Sequence, residues 1–163
     1  MKKSIADLRR ELFYLIVFLL ITLLLAHLNF EFLGINGTSP EYFVSFIAII
    51  LAINLYRLDL IKVFLLGLIA DILVFNLLGS YALIFVVIYG CNYLAHRIMS
   101  ISSNQQQLIL LLCLIQVGFN FSYVTFFYHG DFNFNLLTYL INNFLTTALG
   151  IISFYVLRNI KNK

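Results

Sequence analysis

Long apolar runs separated by short polar connections recur along the whole chain. A helix needs about 20 apolar residues to cross the hydrocarbon core of a bilayer. Six runs approach this length and predict six transmembrane helices, at residues 12–30, 42–56, 60–78, 81–98, 108–128 and 136–157. Because the second run is short, we expect it to extend into its flanks or to lie where the bilayer is thinned. The pattern therefore predicts one all-α domain over residues 1–163, a polytopic membrane bundle of six transmembrane helices.

The composition indicates that lipid, and not water, surrounds most of these helices. Of the 163 residues, 63% are hydrophobic and 10% are charged, and the mean hydropathy is +1.00. Such a chain has too few polar side chains to cover a water-exposed surface. The first run follows basic residues, but it is longer than the core of a secretory signal and no small-x-small cleavage site follows it. We therefore predict that it spans the membrane.

The basic residues predict the orientation of the bundle, because Lys and Arg concentrate on the cytoplasmic side of a membrane. All ten fall on one side of the predicted topology, and Arg57, in the connection between the second and third runs, is one of them. The opposite connections hold Glu31, Glu41 and Asp131 and neither Lys nor Arg. Both termini are therefore expected in the cytoplasm. Basic groups at segment ends favour membrane anchoring, so no nucleic-acid partner is expected.

An aspartate, Asp71, interrupts the third run, and counting about 1.5 Å per residue places it near the middle of the bilayer. The same counting puts amide side chains at a similar depth, Gln116 and Asn120 in the fifth run and Asn142 and Asn143 in the sixth. Buried polar groups of this kind bind one another across helices. We predict a structural polar layer in which Asp71 joins the third, fifth and sixth runs by hydrogen bonds. A proton or substrate pathway is the competing interpretation, but ion transport usually needs a chain of ionisable groups.

Two glycines flank this aspartate in the same part of the chain. Gly67 lies one turn before Asp71, and Gly79 lies eight residues after it. Small residues allow neighbouring membrane helices to approach closely. Gly79, followed by Ser80, also suits a tight turn between the third and fourth runs.

Several of these residues have the spacing of a known family. They are Arg57, Gly67-x-x-x-Asp71, Gly79, Ala82-Leu83 and Tyr89. In a six-span chain of about this length, the set resembles the rod shape-determining membrane protein MreD. The sequence departs from the family at Val63, where a further small residue is usual, so one helix contact should be less close.

The resemblance implies a multi-pass protein of the bacterial inner membrane, a non-catalytic component of the elongation machinery that maintains rod cell shape through peptidoglycan synthesis. Proteins of this family bind the bitopic scaffold MreC and act with the actin-like MreB, the glycosyltransferase RodA and its partner transpeptidase. The family is also similar in fold to the substrate-binding subunits of energy-coupling-factor vitamin transporters. That similarity supplies the alternative function, a membrane subunit that binds a vitamin.

Two features weigh against the alternatives. Transporter subunits tend to carry an Ala-x-x-x-Ala-like pair in the first span, where this chain has only Ala26, and the outer connections at 31–41 and 129–135 are short for a substrate lid. The sequence has no paired aspartates within a span and no H-E-x-x-H motif. We therefore predict no catalytic residues, no metal and no cofactor.

Overall fold

The structure, a computed structural model, describes residues 41–53, 58–74, 79–128 and 136–161. The chain forms α-helices in each of these ranges. Five helices lie in these ranges: α1 Tyr42–Ile53, α2 Leu60–Val74, α3 Ser80–Ile98, α4 Asn104–Tyr128 and α5 Leu136–Lys161. They coincide with five of the predicted runs. The first run, 12–30, and Arg57 lie outside the described residues.

Three of the helices are long and apolar enough to cross a membrane, over Ser80–Ile98, Asn104–Thr125 and Leu136–Asn159. Large apolar side chains also face outward from the bundle, with Ile61 on α2 71% exposed and Phe144 on α5 73% exposed. A soluble protein rarely leaves so much apolar surface in contact with water, whereas lipid solvates it without penalty. The described helices therefore form part of a membrane protein.

The α4 helix begins four residues before the apolar run that predicted it. Ser103 Oγ accepts a hydrogen bond from the Gln106 backbone N–H at 3.2 Å, and Gln106 Oε1 accepts one from the Ser103 N–H at 3.1 Å. This reciprocal pair is a capping box, which satisfies backbone groups that have no partner within the helix. The polar first turn is also tied to α5, because the Arg158 guanidinium donates to Asn104 Oδ1. Polar capping, and not apolar content, sets this helix start.

The short helix α1 forms the centre of the bundle. All twelve of its residues are buried, and it packs against α3, α4 and α5. At about 1.5 Å per residue it is only about 18 Å long, less than the hydrocarbon core of about 30 Å. The main apolar core consists of α1 side chains together with inward-facing residues of α3 and α4, such as Ile84, Ile88, Leu111 and Leu114.

The α2 and α3 helices form an antiparallel hairpin whose turn region includes Gly79. This glycine precedes α3 with φ 107°, in the left-handed region that glycine adopts without strain. Farther down the hairpin, a Cβ atom at Gly67 would lie 2.3 Å from the Ala82 Cα and 2.9 Å from the Tyr81 carbonyl oxygen. The two backbones therefore pack closer together here than any side chain at position 67 would allow.

Candidate functional site

Asp71 lies on α2, and its carboxylate is completely buried against the beginning of α3. Its Oδ1 accepts a hydrogen bond from the Tyr81 N–H at 2.7 Å, and its Oδ2 accepts from the Gly79 N–H at 2.9 Å and the Ala82 N–H at 3.3 Å. The first N–H groups of a helix have no partner within the helix and carry a partial positive charge. Gly79, at the N-cap position, has no side chain to serve them. Asp71 therefore caps α3 from the neighbouring helix.

These partners differ from those predicted for Asp71. The sequence indicated hydrogen bonds at mid-bilayer to the amides of the fifth and sixth runs, but its described hydrogen bonds all go to the backbone of α3. The physical reason is that Asp71 lies level with the first turn of α3, at one end of the hairpin. Depth along an apolar run did not identify these partners, because the donors belong to the backbone of the adjacent helix start.

Gly67, Asp71 and Gly79 belong to one contact between α2 and α3. Gly67 lets the two backbones meet one turn from the carboxylate, and Gly79 lets the chain enter α3 with its N–H groups turned toward that carboxylate. The close approach and the capping depend on each other, since three hydrogen bonds of 2.7–3.3 Å require the helix start to lie directly against Asp71.

The amides Gln116 and Asn143 bind each other between α4 and α5. Gln116 Nε2 donates to Asn143 Oδ1 at 2.8 Å, and Asn143 Nδ2 donates to Gln116 Oε1 at 3.1 Å. Thr147 Oγ1 accepts a further hydrogen bond from Gln116 Nε2 at 3.2 Å. Farther along the same two helices, the Tyr139 hydroxyl donates to Asn120 Oδ1. The structure thus brings three of the predicted amides together as links between α4 and α5, separate from Asp71.

A double-mutant cycle measures the strength of the link between Gln116 and Asn143. Leucine at either position should destabilise the protein by about 1–3 kcal/mol, because it leaves the partner amide partly buried and unsatisfied. The double variant should lose less than the sum of the two, with a coupling of about 0.6 kcal/mol. Unfolding of the four proteins in detergent micelles checks this expectation. Strict additivity of the two substitutions would contradict it.

Asn142, the remaining residue of the predicted polar layer, lies on the side of α5 that faces α1. The backbone carbonyl oxygen of Asn142 accepts a hydrogen bond from Thr146 Oγ1 at 2.7 Å. Thr146 Oγ1 in turn accepts a hydrogen bond from the Glu41 N–H at 2.9 Å. Ser45 Oγ in turn donates to the Thr146 carbonyl at 3.1 Å. These hydrogen bonds hold the start of α1 against the turn of α5 that contains Asn142 and Thr146.

Glu41, which precedes α1, is a site residue that sequence reasoning missed. Its Oε2 accepts a hydrogen bond from the Tyr81 hydroxyl at 3.1 Å, and the Ser122 hydroxyl also faces this carboxyl group. Burial raises the pKa of Glu41, and this effect exceeds the opposing effect of the Tyr81 and Ser122 hydroxyls. From the sequence, Glu41 was interpreted only as an acidic residue in one of the outer connections. The available signal was an acidic residue immediately before an apolar run, which is a common helix start.

Tyr81 connects the two acids Asp71 and Glu41. Its N–H donates to Asp71 and its hydroxyl donates to Glu41, and its ring packs beside those of Phe43 and Phe85 at centroid distances of 5.4 and 6.2 Å. We call Glu41, Asp71, Tyr81, Ser122 and Thr146 the outer polar cluster, since the charge distribution predicts that this end of the bundle faces away from the cytoplasm. The cluster joins all five described helices or their starts.

The chemistry of the outer polar cluster is hydrogen bonding. Its groups are carboxyls, hydroxyls and backbone N–H groups, and within the described ranges no set of three His, Cys, Asp or Glu residues is placed to hold a metal ion. The cysteines Cys91 and Cys113, on α3 and α4, are free thiols away from the cluster.

Comparison of the chain with family models, with curated proteins and with solved structures finds no match in any of the three. The class that the helices and their apolar surfaces define is an α-helical membrane protein.

Proposed function

We propose that this chain is a non-catalytic MreD-type component of the bacterial cell-elongation complex. In this proposal it spans the inner membrane six times with both termini in the cytoplasm, and it supports peptidoglycan synthesis and rod shape. The observation that carries the proposal is that Gly67, Asp71 and Gly79, on which the resemblance rests, take part in one contact. Their spacing therefore has a common structural purpose, which is what a family motif requires.

The proposed mechanism is recognition of an MreC-like bitopic scaffold within the bilayer, with MreB, RodA and its partner transpeptidase as further members of the complex. Helices already in hydrocarbon gain little from apolar burial, so association depends on close packing and interhelical hydrogen bonds. The α2–α3 hairpin is suited to this role. Internal hydrogen bonds hold it, while α2 leaves Ile61, Leu65 and Ile72 exposed toward lipid or a partner helix.

Affinity purification in mild detergent tests this proposal. The tagged chain should co-isolate an MreC-like protein. Asp71→Leu should reduce the yield of that protein per folded chain at least several-fold, because it removes the hydrogen bonds that hold the start of α3 against α2. Asp59→Asn is the matched control, since Asp59 is exposed and pairs only with Lys62 among the described residues. Cells depleted of the chain should become round. Normal rod shape after depletion would contradict the proposal.

The alternative is a substrate-binding subunit of an energy-coupling-factor vitamin transporter, and the outer polar cluster is the observation that favours it. Such subunits need polar groups near the outer face, which the hydroxyls of Tyr81 and Ser122 and the Glu41 carboxyl supply. In this structure these groups face one another, an arrangement that favours cohesion over ligand contact. Co-isolation of a coupling-factor ATPase module, together with loss of vitamin uptake on depletion, would establish the alternative.

A further inference from the structure

Two acids, the buried Asp71 and the half-buried Glu41, lie on either side of Tyr81 in surroundings that differ chemically. Asp71 accepts three backbone N–H groups at a helix start, which is a favourable setting for a negative charge. Among the described residues, the groups turned toward the Glu41 carboxyl are hydroxyls, those of Tyr81 from α3 and Ser122 from α4. Hydroxyl groups stabilise a carboxylate less than charged partners or several N–H groups do.

No basic group offsets the Glu41 charge among the described residues. Its carboxyl is faced by the hydroxyls of Tyr81 from α3 and Ser122 from α4. Thr146 of α5 contacts the Glu41 backbone N–H, and Asp71 of α2 lies on the other side of Tyr81. The ion pair found in the described ranges is Lys62–Asp59, at the opposite end of α2. A negative charge on Glu41, faced by hydroxyl groups and offset by no cation in the described ranges, is electrostatically unfavourable.

The position of Glu41 is also recessed. Thr146, whose hydroxyl accepts from the Glu41 N–H, lies ten residues into α5, so α5 begins about 15 Å beyond it. Ser122 lies six residues before the end of α4, which adds about 9 Å of helix on that side. The carboxyl therefore lies between helix segments that extend past it, and water solvates it poorly.

From these observations we propose that Glu41 is a proton-binding site, and that its bound proton holds the start of α1 against α3 and α4. The protonated carboxyl accepts the Tyr81 hydroxyl hydrogen and donates its own hydrogen to Ser122 Oγ, a buried oxygen atom that otherwise has no hydrogen-bond partner in the described residues. Loss of the proton leaves a negative charge that the Tyr81 and Ser122 hydroxyl groups offset incompletely. The contact between α1 and the hairpin then weakens. This inference goes beyond the proposed function and does not depend on it.

The sign of the pH effect follows from linkage. Burial raises the pKa of Glu41 in the folded protein above its ordinary value of 4.5. The folded state therefore retains a proton that the unfolded state has released, and stability falls as the pH rises from about 4.5 through the folded pKa. Above the folded pKa, this group causes no further change.

The test compares the purified protein with Glu41→Gln in detergent or nanodiscs between pH 5 and pH 8. The midpoint temperature of the wild type should fall by about 3 °C or more over this range. The glutamine variant, a neutral isostere, should lose most of that dependence, while Asp59→Asn should retain it. A wild-type midpoint that does not fall over this range, or an equal pH dependence in the wild type and Glu41→Gln, would overturn the proposal.

Infrared spectroscopy tests the protonation state directly and does not depend on how the variants unfold. In a pH series upward from 5, the wild type should show the carbonyl band of a protonated carboxyl that persists above the ordinary glutamate pKa of 4.5. Tyr81→Phe should shift the titration of this band to higher pH, because that variant removes a hydroxyl that stabilises the charged form. Absence of the band in the wild type would overturn the proposal. So would its persistence in folded Glu41→Gln, which would assign the proton to another acid.

Discussion

Replacement of Gly67 by alanine is expected to destabilise the protein by about 3 kcal/mol or more, although it adds a single methyl group. The added Cβ would lie 2.3 Å from the Ala82 Cα, against an ordinary separation of about 3.5–4.0 Å. The atoms in the way belong to the α3 backbone, so no side chain can rotate to make room. The α2 and α3 helices must move apart by more than about 1 Å. Thermal unfolding in detergent, followed by circular dichroism, measures the loss.

Gly90→Ala is the matched control for this substitution. Gly90 lies on α3 as well, but a Cβ there would meet no atom within 4 Å. Alanine has the higher helix propensity, so the control should be neutral or more stable by at most about 1 kcal/mol. Equal behaviour of Gly67→Ala and Gly90→Ala would show that the hairpin is not closely packed at position 67.

The helices themselves were predictable from the sequence because apolar content reports directly on the requirements of a bilayer. Five predicted runs coincide with helices, and their boundaries differ by a few residues. The largest difference at a helix start, at α4, had a signal in the sequence, the capping box formed by Ser103 and Gln106. Apolar length alone could not reveal it, since the first turn of α4 is polar.

The partners of the polar residues were less predictable. Gln116 and Asn143 could be paired by depth, because they lie on consecutive antiparallel helices joined by a short connection. The partners of Asp71 could not be predicted in this way, because they are backbone N–H groups. Such groups are unpaired at every helix start, whatever the residue types. Glu41 meets Tyr81 across forty residues of chain. A contact of that range depends on how helices pack, and local spacing carries no record of it.

Asp71→Leu is expected to destabilise the protein by about 3 kcal/mol or more, because it leaves three N–H groups at the start of α3 without their acceptor. Asp71→Asn should have an intermediate effect, since its one amide oxygen can accept from the Tyr81 N–H. It loses the attraction between a negative charge and the helix N-terminus, an effect of about 1 kcal/mol. Stability measurements in detergent should therefore rank aspartate above asparagine and asparagine above leucine.

Amide hydrogen exchange separates capping from a general loss of packing at Asp71. If the carboxylate caps α3, Asp71→Leu should accelerate exchange first at Gly79, Tyr81 and Ala82, while the paired helices α4 and α5 keep their protection near Gln116. A layer that joined Asp71 to the amides of α4 and α5 would give the reverse, with exchange rising around Gln116. Unchanged exchange at the first turn of α3 in a folded Asp71→Leu variant would rule out the capping role, because those N–H groups would then have another acceptor.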